Sequence, residues 1–162
     1  KEYDREHNVL SKKFLCKDFT AIKRFIASGV QVVMISGDEW NRTMAEKRNI
    51  DFYCSRGSDL SLDKSRYLEM FSEKYNVDIK DMSFVGDDYF DLSMFESLQY
   101  TCCPSDAPEV IKKHAKYVCK NAGGKGVLVE FYDFCVQEWL EDASPDAVAE
   151  LDKKEASSKE MS

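Results

Sequence analysis

Ser83-Phe84-Val85-Gly86-Asp87-Asp88-Tyr89-Phe90-Asp91 is the stretch whose reading decides the fold. A short apolar run stops at a glycine, two adjacent carboxylates follow, and a third comes one helical turn later. In an open α/β sheet, strands that end this way deliver their side chains to the crevice where ligands bind. With a helix starting near Asp88, Asp87 and Asp91 share a face. Acidic oxygens clustered at one point suit Mg2+ better than Zn2+. The same residues also have a purely structural use. An Asp at an N-cap, with acids in the first turn, satisfies free N–H groups and opposes the helix dipole.

The rest of the chain supplies the context for that strand end. Its 162 residues suffice for one domain with a proper core. Hydrophobic content of 43% and charged content of 33% are those of an ordinary globule. A net charge of −7 argues against non-specific binding to nucleic acid or anionic membranes, because no basic surplus exists to displace counterions. No apolar run approaches membrane-spanning length, and no signal-peptide pattern opens the chain. The six cysteines (16, 54, 102, 103, 119, 135) lack metal-ligand spacing and read as small buried hydrophobes. His7 and His114 are far apart in polar company, so zinc is not expected. A reducing, cytoplasmic setting fits these thiols. The chain opens at Lys1 rather than methionine, which suggests a processed or truncated product.

Outward from Gly86, β and α signals alternate. Residues 1–16 alternate weakly around the polar turn Asp4–Asn8 and predict a β-hairpin. From Asp18 the stripe Phe19, Ile22, Phe25, Ile26 predicts a helix closed by Gly29. Val30–Ile35 is β-branched and apolar, as a strand buried on both faces should be, and stops at Ser36-Gly37-Asp38. A helix is expected through about Arg48, then a strand over Ile50–Tyr53. Leu60, Lys64, Tyr67, Leu68, Phe71 and Tyr75 are spaced for another helix. Met82–Val85 predicts a strand, Asp88–Leu98 a helix, Gln99–Cys102 a strand and Asp106–Lys113 a helix. After Gly123-Gly124-Lys125-Gly126 a last amphipathic helix carries Val127, Leu128, Phe131, Tyr132, Cys135 and Trp139. Such alternation implies a doubly wound, Rossmann-like parallel α/β sheet covered on both faces. The domain is expected over residues 1–142, with a solvated polar tail over 143–162 that is disordered or transiently helical.

Successive strand ends then offer a hydroxyl, an ammonium and carboxylates. Ser36 can present its Oγ to a phosphate oxygen beside backbone N–H groups, or simply cap the next helix. Lys64 lies on the apolar stripe of its helix, where a cation is costly unless its head meets an anion or reaches water. Taken in order, these groups form a phosphoryl-transfer set: the hydroxyl orients, the lysine offsets charge, and the carboxylates hold Mg2+.

Met34-Ile35-Ser36-Gly37, Asp63-Lys64 and Val85-Gly86-Asp87-Asp88-Tyr89-Phe90-Asp91 resemble the second, third and fourth motifs of the haloacid-dehalogenase (HAD) phosphatases. Further details resemble the sugar-acid branch of 3-deoxy-D-manno-octulosonate 8-phosphate phosphatases, a domain also fused to the C-terminus of some CMP-sialic acid synthetases. These are Phe14-Leu15-Cys16-Lys17-Asp18, Pro104-Ser105-Asp106-Ala107 and Gly123-Gly124-Lys125-Gly126-Val127. The resemblance covers roughly residues 1–140. It implies a HAD-type sheet without a large cap domain and a Mg2+-dependent phosphomonoesterase of small phosphorylated sugars or sugar acids. Ser36 and Lys64 would be catalytic, Asp87, Asp88 and Asp91 would serve the metal, and Gly37, Asp18 and Lys125 would touch substrate. A homotetramer is implied, with the Gly123–Gly126 turn near an active-site mouth.

Two departures qualify the resemblance. The family's first motif, Asp-x-Asp-Gly, which carries the nucleophile of an aspartyl-phosphate, is missing, and Asp4 is no substitute. Truncation would explain its loss, and the chain as it stands is expected to be inactive. Asp38 stands where the sugar-acid branch has Arg, and a carboxylate there would repel an anionic substrate. Arg42 is the candidate replacement. The competing function is a catalytically inactive oligomerisation or regulatory module tied to a sugar-nucleotide synthetase. A receiver domain is disfavoured because Lys64 precedes the acidic pair. Gly-Gly-Lys-Gly lacks P-loop spacing.

Overall fold

A computed structural model describes residues 1–57 and 63–160, so Leu60 lies outside the described residues. The hairpin forms as expected from β1 (Glu2–Tyr3) and β2 (Val9–Ser11), which pair antiparallel. Asp4 closes its turn by accepting from the Glu6 and Asn8 N–H groups at 2.9 and 2.8 Å, an ordinary Asx role.

Beyond the hairpin the chain alternates. α1 (Cys16–Ala27) leads to β3 (Val33–Ser36), α2 (Arg42–Glu46) and β4 (Asp51–Cys54). α3 (Tyr67–Tyr75), β5 (Ser83–Val85) and α4 (Leu92–Ser97) follow. The last elements are β6 (Tyr100–Cys103), α5 (Glu109–His114), β7 (Tyr117–Val118), α6 (Val127–Glu138) and α7 (Pro145–Glu160). Single 3-10 turns precede α2, α3 and α4, so the helices begin later than periodicity suggests.

β3 pairs parallel with β4 in one ladder, and β5, β6 and β7 pair parallel in a second. No ladder joins β3 to β5 among the described residues. Side chains bridge the two instead. On one face Val32 and Val85 pack with Phe25 of α1 and Phe131, Tyr132 and Cys135 of α6. On the other, Ile35 and Phe84 pack with Leu68 of α3 and Met94 of α4. Helices on both faces of parallel strands make this a doubly wound α/β fold.

Three features depart from expectation. β7 is a two-residue strand too short for periodicity to reveal. Of the cysteines, 102, 103, 119 and 135 are buried as expected, with Cys102 and Cys119 sulfurs 3.3 Å apart, but Cys16 is exposed. The tail expected to be solvated, disordered or transiently helical is instead a docked helix: α7 packs along α1, where Lys23 pairs with Asp152 and, at 2.8 Å, with Glu155. Leu151 is the apolar residue of α7 that lines this seam, beside Phe19 and Ile22. A helix held mainly by charges looks, to a hydrophobicity pattern, like a solvated segment.

Candidate active site

β5 ends at Gly86, whose N–H extends the ladder to Cys102 O at 3.1 Å. The glycine is required by proximity. A Cβ there would stand 2.6 Å from Asp91 Oδ2 and 2.5 Å from Phe84 Cε1. With that space open, Asp91 folds back under the strand end. Its Oδ2 accepts from the backbone N–H groups of Asp87 and Asp88 at 2.9 and 3.2 Å. Its Oδ1 accepts from Lys64 Nζ at 2.5 Å. Asp88 caps the turn by accepting from Tyr89 N at 2.7 Å, and with Asp91 forms a capping box.

Lys64 reaches this point from the turn before α3, which Asp63 caps by accepting from Ser65 N. Both partners are buried, Lys64 to 8% exposure and Asp91 to 4%. Lys64 therefore meets an anion rather than escaping to water. Asp91 has both oxygens engaged, which makes it the acid that positions Lys64 and the Asp87–Asp88 backbone.

Asp87 has the opposite character. Its surface is open to solvent, and among the described residues nothing hydrogen-bonds its carboxylate. Partial loss of water around the carboxyl where it sits against the strand end, followed by the charges of Asp91 and Asp88, pushes its pKa above the usual carboxylate range, and Lys64 opposes them. Asp106, in the loop after β6, adds to the rise. Asp106 was not singled out from the sequence. It accepts from Gly123 N at 2.8 Å and so ties the glycine-rich turn to this acidic edge. Lys125 lies exposed in that turn.

Among the described residues no three carboxylate, thiol or imidazole groups form a metal-holding cluster. The donors nevertheless suit a hard cation held by one or two carboxylates with water completing its shell, and a dication would offset the burial and the neighbouring negative charges that raise Asp87.

Ser36 ends β3, where Oγ accepts from Asp38 N at 3.1 Å and Asn41 Nδ2 at 2.9 Å. The cap of the next turn is Asp38, which accepts from Trp40 N, and not Ser36. The contacts of Ser36 are with its own loop; those of Lys64 are with Asp91. Asp18 Oδ1 caps α6, accepting from Leu128 N at 3.0 Å and Val129 N at 3.4 Å. Arg42, the candidate replacement for the arginine, pairs with Glu39 and lies 4.8 Å from the Phe52 ring. A depression of about 300 Å3 lies elsewhere, between β7 and α6. Its Glu130 is already engaged by Lys120 N, Asn121 N and Tyr117 Oη.

The fold is that of the haloacid-dehalogenase-like phosphatases, and residues 58–131 match the haloacid dehalogenase-like hydrolase family. Within that class the chain resembles the 3-deoxy-D-manno-octulosonate 8-phosphate phosphatase of Haemophilus influenzae, at 26% identity over 83% of this chain and 73% of the relative. The cobalt-bound structure from that organism superposes with a TM-score of 0.73 over 83% of this chain and 77% of that one, at 26% identity. The Moraxella catarrhalis phosphatase, solved with magnesium ion, phosphate ion and KDO, shares the fold at 20% identity and TM-score 0.72, over 84% and 76% of the two chains. N-acylneuraminate cytidylyltransferase A of Danio rerio is 26% identical over 71% of this chain, which spans only 26% of that protein.

Proposed function

We propose that this chain carries the phosphoryl- and metal-binding groups of a Mg2+-dependent phosphomonoesterase acting on a small phosphorylated sugar acid of the 3-deoxy-octulosonate 8-phosphate type. The observation that carries the reading is the buried Lys64–Asp91 pair. It holds an ammonium and the Asp87–Asp88 turn in one hydrogen-bonded unit at the C-terminal end of β5.

In this reading Ser36 and Gly37 receive the phosphoryl oxygens and Lys64 offsets their charge. Asp87, with Asp88 beside it, holds the cation, and Asp91 fixes both. Mg2+ bound there would neutralise charge on the phosphoryl oxygens. Lys125 approaches the substrate from the turn tied to Asp106. No Asp-x-Asp occurs in the 162 residues. β3 and β5 each have one edge without a ladder among the described residues, which suits a strand that would carry this motif between Ser36 and Asp87. Assembly as a cytoplasmic homotetramer through the hairpin accords with the exposure of Tyr3, Leu10 and Phe14.

Calorimetric titration with inorganic phosphate tests the reading. Binding that requires Mg2+, and that is lost in Asp87→Asn and Lys64→Met, is the expected result; wild-type chain that binds no phosphate overturns it. Placing an apolar Asp-x-Asp strand ahead of Lys1 should then produce hydrolysis of phosphate esters. The likeness to an N-acylneuraminate cytidylyltransferase supports a second reading, a non-catalytic oligomerisation module beside a sugar-nucleotide synthetase. That module assembles but stays inert toward a broad ester panel even with the strand restored.

A further inference from the structure

A second charged cluster surrounds the end of β3. Asp38 Oδ2 lies 2.8 Å from Lys1 Nζ and 2.6 Å from Lys12 Nζ. Lys12 also donates to Asn41 Oδ1 at 3.0 Å, and Asn41 in turn donates to Ser36 Oγ. The Lys12 side chain is only 9% exposed, so this ammonium is built into the loop. Opposite, Arg56 follows β4 directly across Gly37. A Cβ added to Gly37 would lie 3.8 Å from Arg56 Cβ and 3.9 Å from its Nε. Arg56 is close enough for its charge to act on Lys1.

These contacts change the meaning of Asp38. Read from sequence, its carboxylate would repel an anionic substrate. In the fold it is matched by two lysines, and with Arg56, and with Arg42 paired to Glu39 beside it, the rim of Ser36 holds four cations against two acids. That local surplus stands out in a chain of net charge −7. The glycine leaves the approach between strand end and guanidinium unobstructed by a side chain. A guanidinium fork recognises a carboxylate through paired N–H bonds, a geometry no lysine reproduces.

We infer that Arg56, backed by Lys12, is the specificity-determining residue of this chain and receives a carboxylate of the substrate whose phosphoryl group meets Ser36. The inference rests on the phosphatase reading above. It relocates the arginine that the family pattern places at position 38 to the end of the neighbouring strand.

The test compares 6-phosphogluconate with sorbitol 6-phosphate, which differ only in a carboxylate against a hydroxymethyl group. Calorimetry in Mg2+ should show wild-type protein binding the acid about tenfold more tightly, the order of one charge-assisted bidentate pair. Arg56→Gln should bring the two affinities together while leaving sorbitol 6-phosphate within about twofold, and Lys64→Met should weaken both alike. Because Arg56 is exposed, Arg56→Gln should keep the wild-type melting temperature. Equal wild-type affinities, or a preference that survives Arg56→Gln, overturns this inference alone. Failure of the wild-type chain to bind either compound overturns it together with the phosphatase reading.

Discussion

The ends of β5 and β3 solve one problem, charge at a strand terminus, in opposite ways. At β5 a single ammonium is buried against a single carboxylate, and the carboxylate's second oxygen holds two backbone N–H groups. At β3 a single carboxylate faces two ammoniums on a more open rim, with side-chain exposures of 21% for Asp38 and 43% for Lys1. The first arrangement is closed and one-to-one, and removing either partner strands a buried charge. The second is open and over-supplied with cations, and it keeps binding capacity for an incoming anion. A phosphoryl site needs both kinds of charge: one that cannot move and one that can still be claimed.

The largest expected effect breaks the closed end. Asp91→Ala leaves Lys64 buried without a partner and should cost roughly 3–5 kcal/mol in urea unfolding. A loss under about 1 kcal/mol would mean that the Lys64 head reaches water unaided, and the contrast between the two ends would vanish. Gly86→Ala attacks the same unit through sterics. The new methyl collides with Asp91, so a loss of about 1–3 kcal/mol is expected, visible as a lower melting temperature. An unchanged melting temperature would show that Asp91 can withdraw freely.

The smallest effect sharpens the open end. Hydrogen bonds from Lys1, then Lys12, hold the Asp38 carboxyl well below the usual carboxylate range. Its folded pKa lies below its unfolded value. The stability it contributes is therefore complete above about pH 5 and is lost as pH falls through and below the ordinary Asp value near 4. Urea midpoints measured between pH 6 and pH 3 should fall more for wild type than for Asp38→Asn, which has no such proton to take up. Parallel acid curves would show that Lys1 and Lys12 do not engage Asp38 in solution.

Legibility in sequence differed sharply between these regions. The strand-glycine-diacid pattern placed β5, its turn and Asp87 correctly, because a buried strand and its acidic exit are written in adjacent residues. Lys64 stood out for the same local reason, a cation on an apolar stripe. The role of Asp91 was not legible, since a helix-face argument grouped it with Asp87 whereas the fold turns it back under Gly86 to Lys64. Asp18 looked like a substrate contact and caps a helix more than a hundred residues away. Asp106 stood within the family-like stretch Pro104-Ser105-Asp106-Ala107 but had no role assigned, because its partners, the Gly123 N–H and the charge on Asp87, come from other loops. The helix at 145–160 was legible only as a transient one, because ion pairs to α1 rather than an apolar stripe secure it.

The sequence by itself determined the alternation of strands and helices, the parallel sheet that alternation demands, and the chemical types available at each strand end. These depend on periodicity and on residues next to one another. Only the tertiary structure decided which charge meets which: Lys64 with Asp91, Lys1 and Lys12 with Asp38, Asp18 with the start of α6. Hydrogen bonds require separations of about 3 Å and ion pairs are strongest at contact, and separations that small between distant residues exist only once the chain has folded.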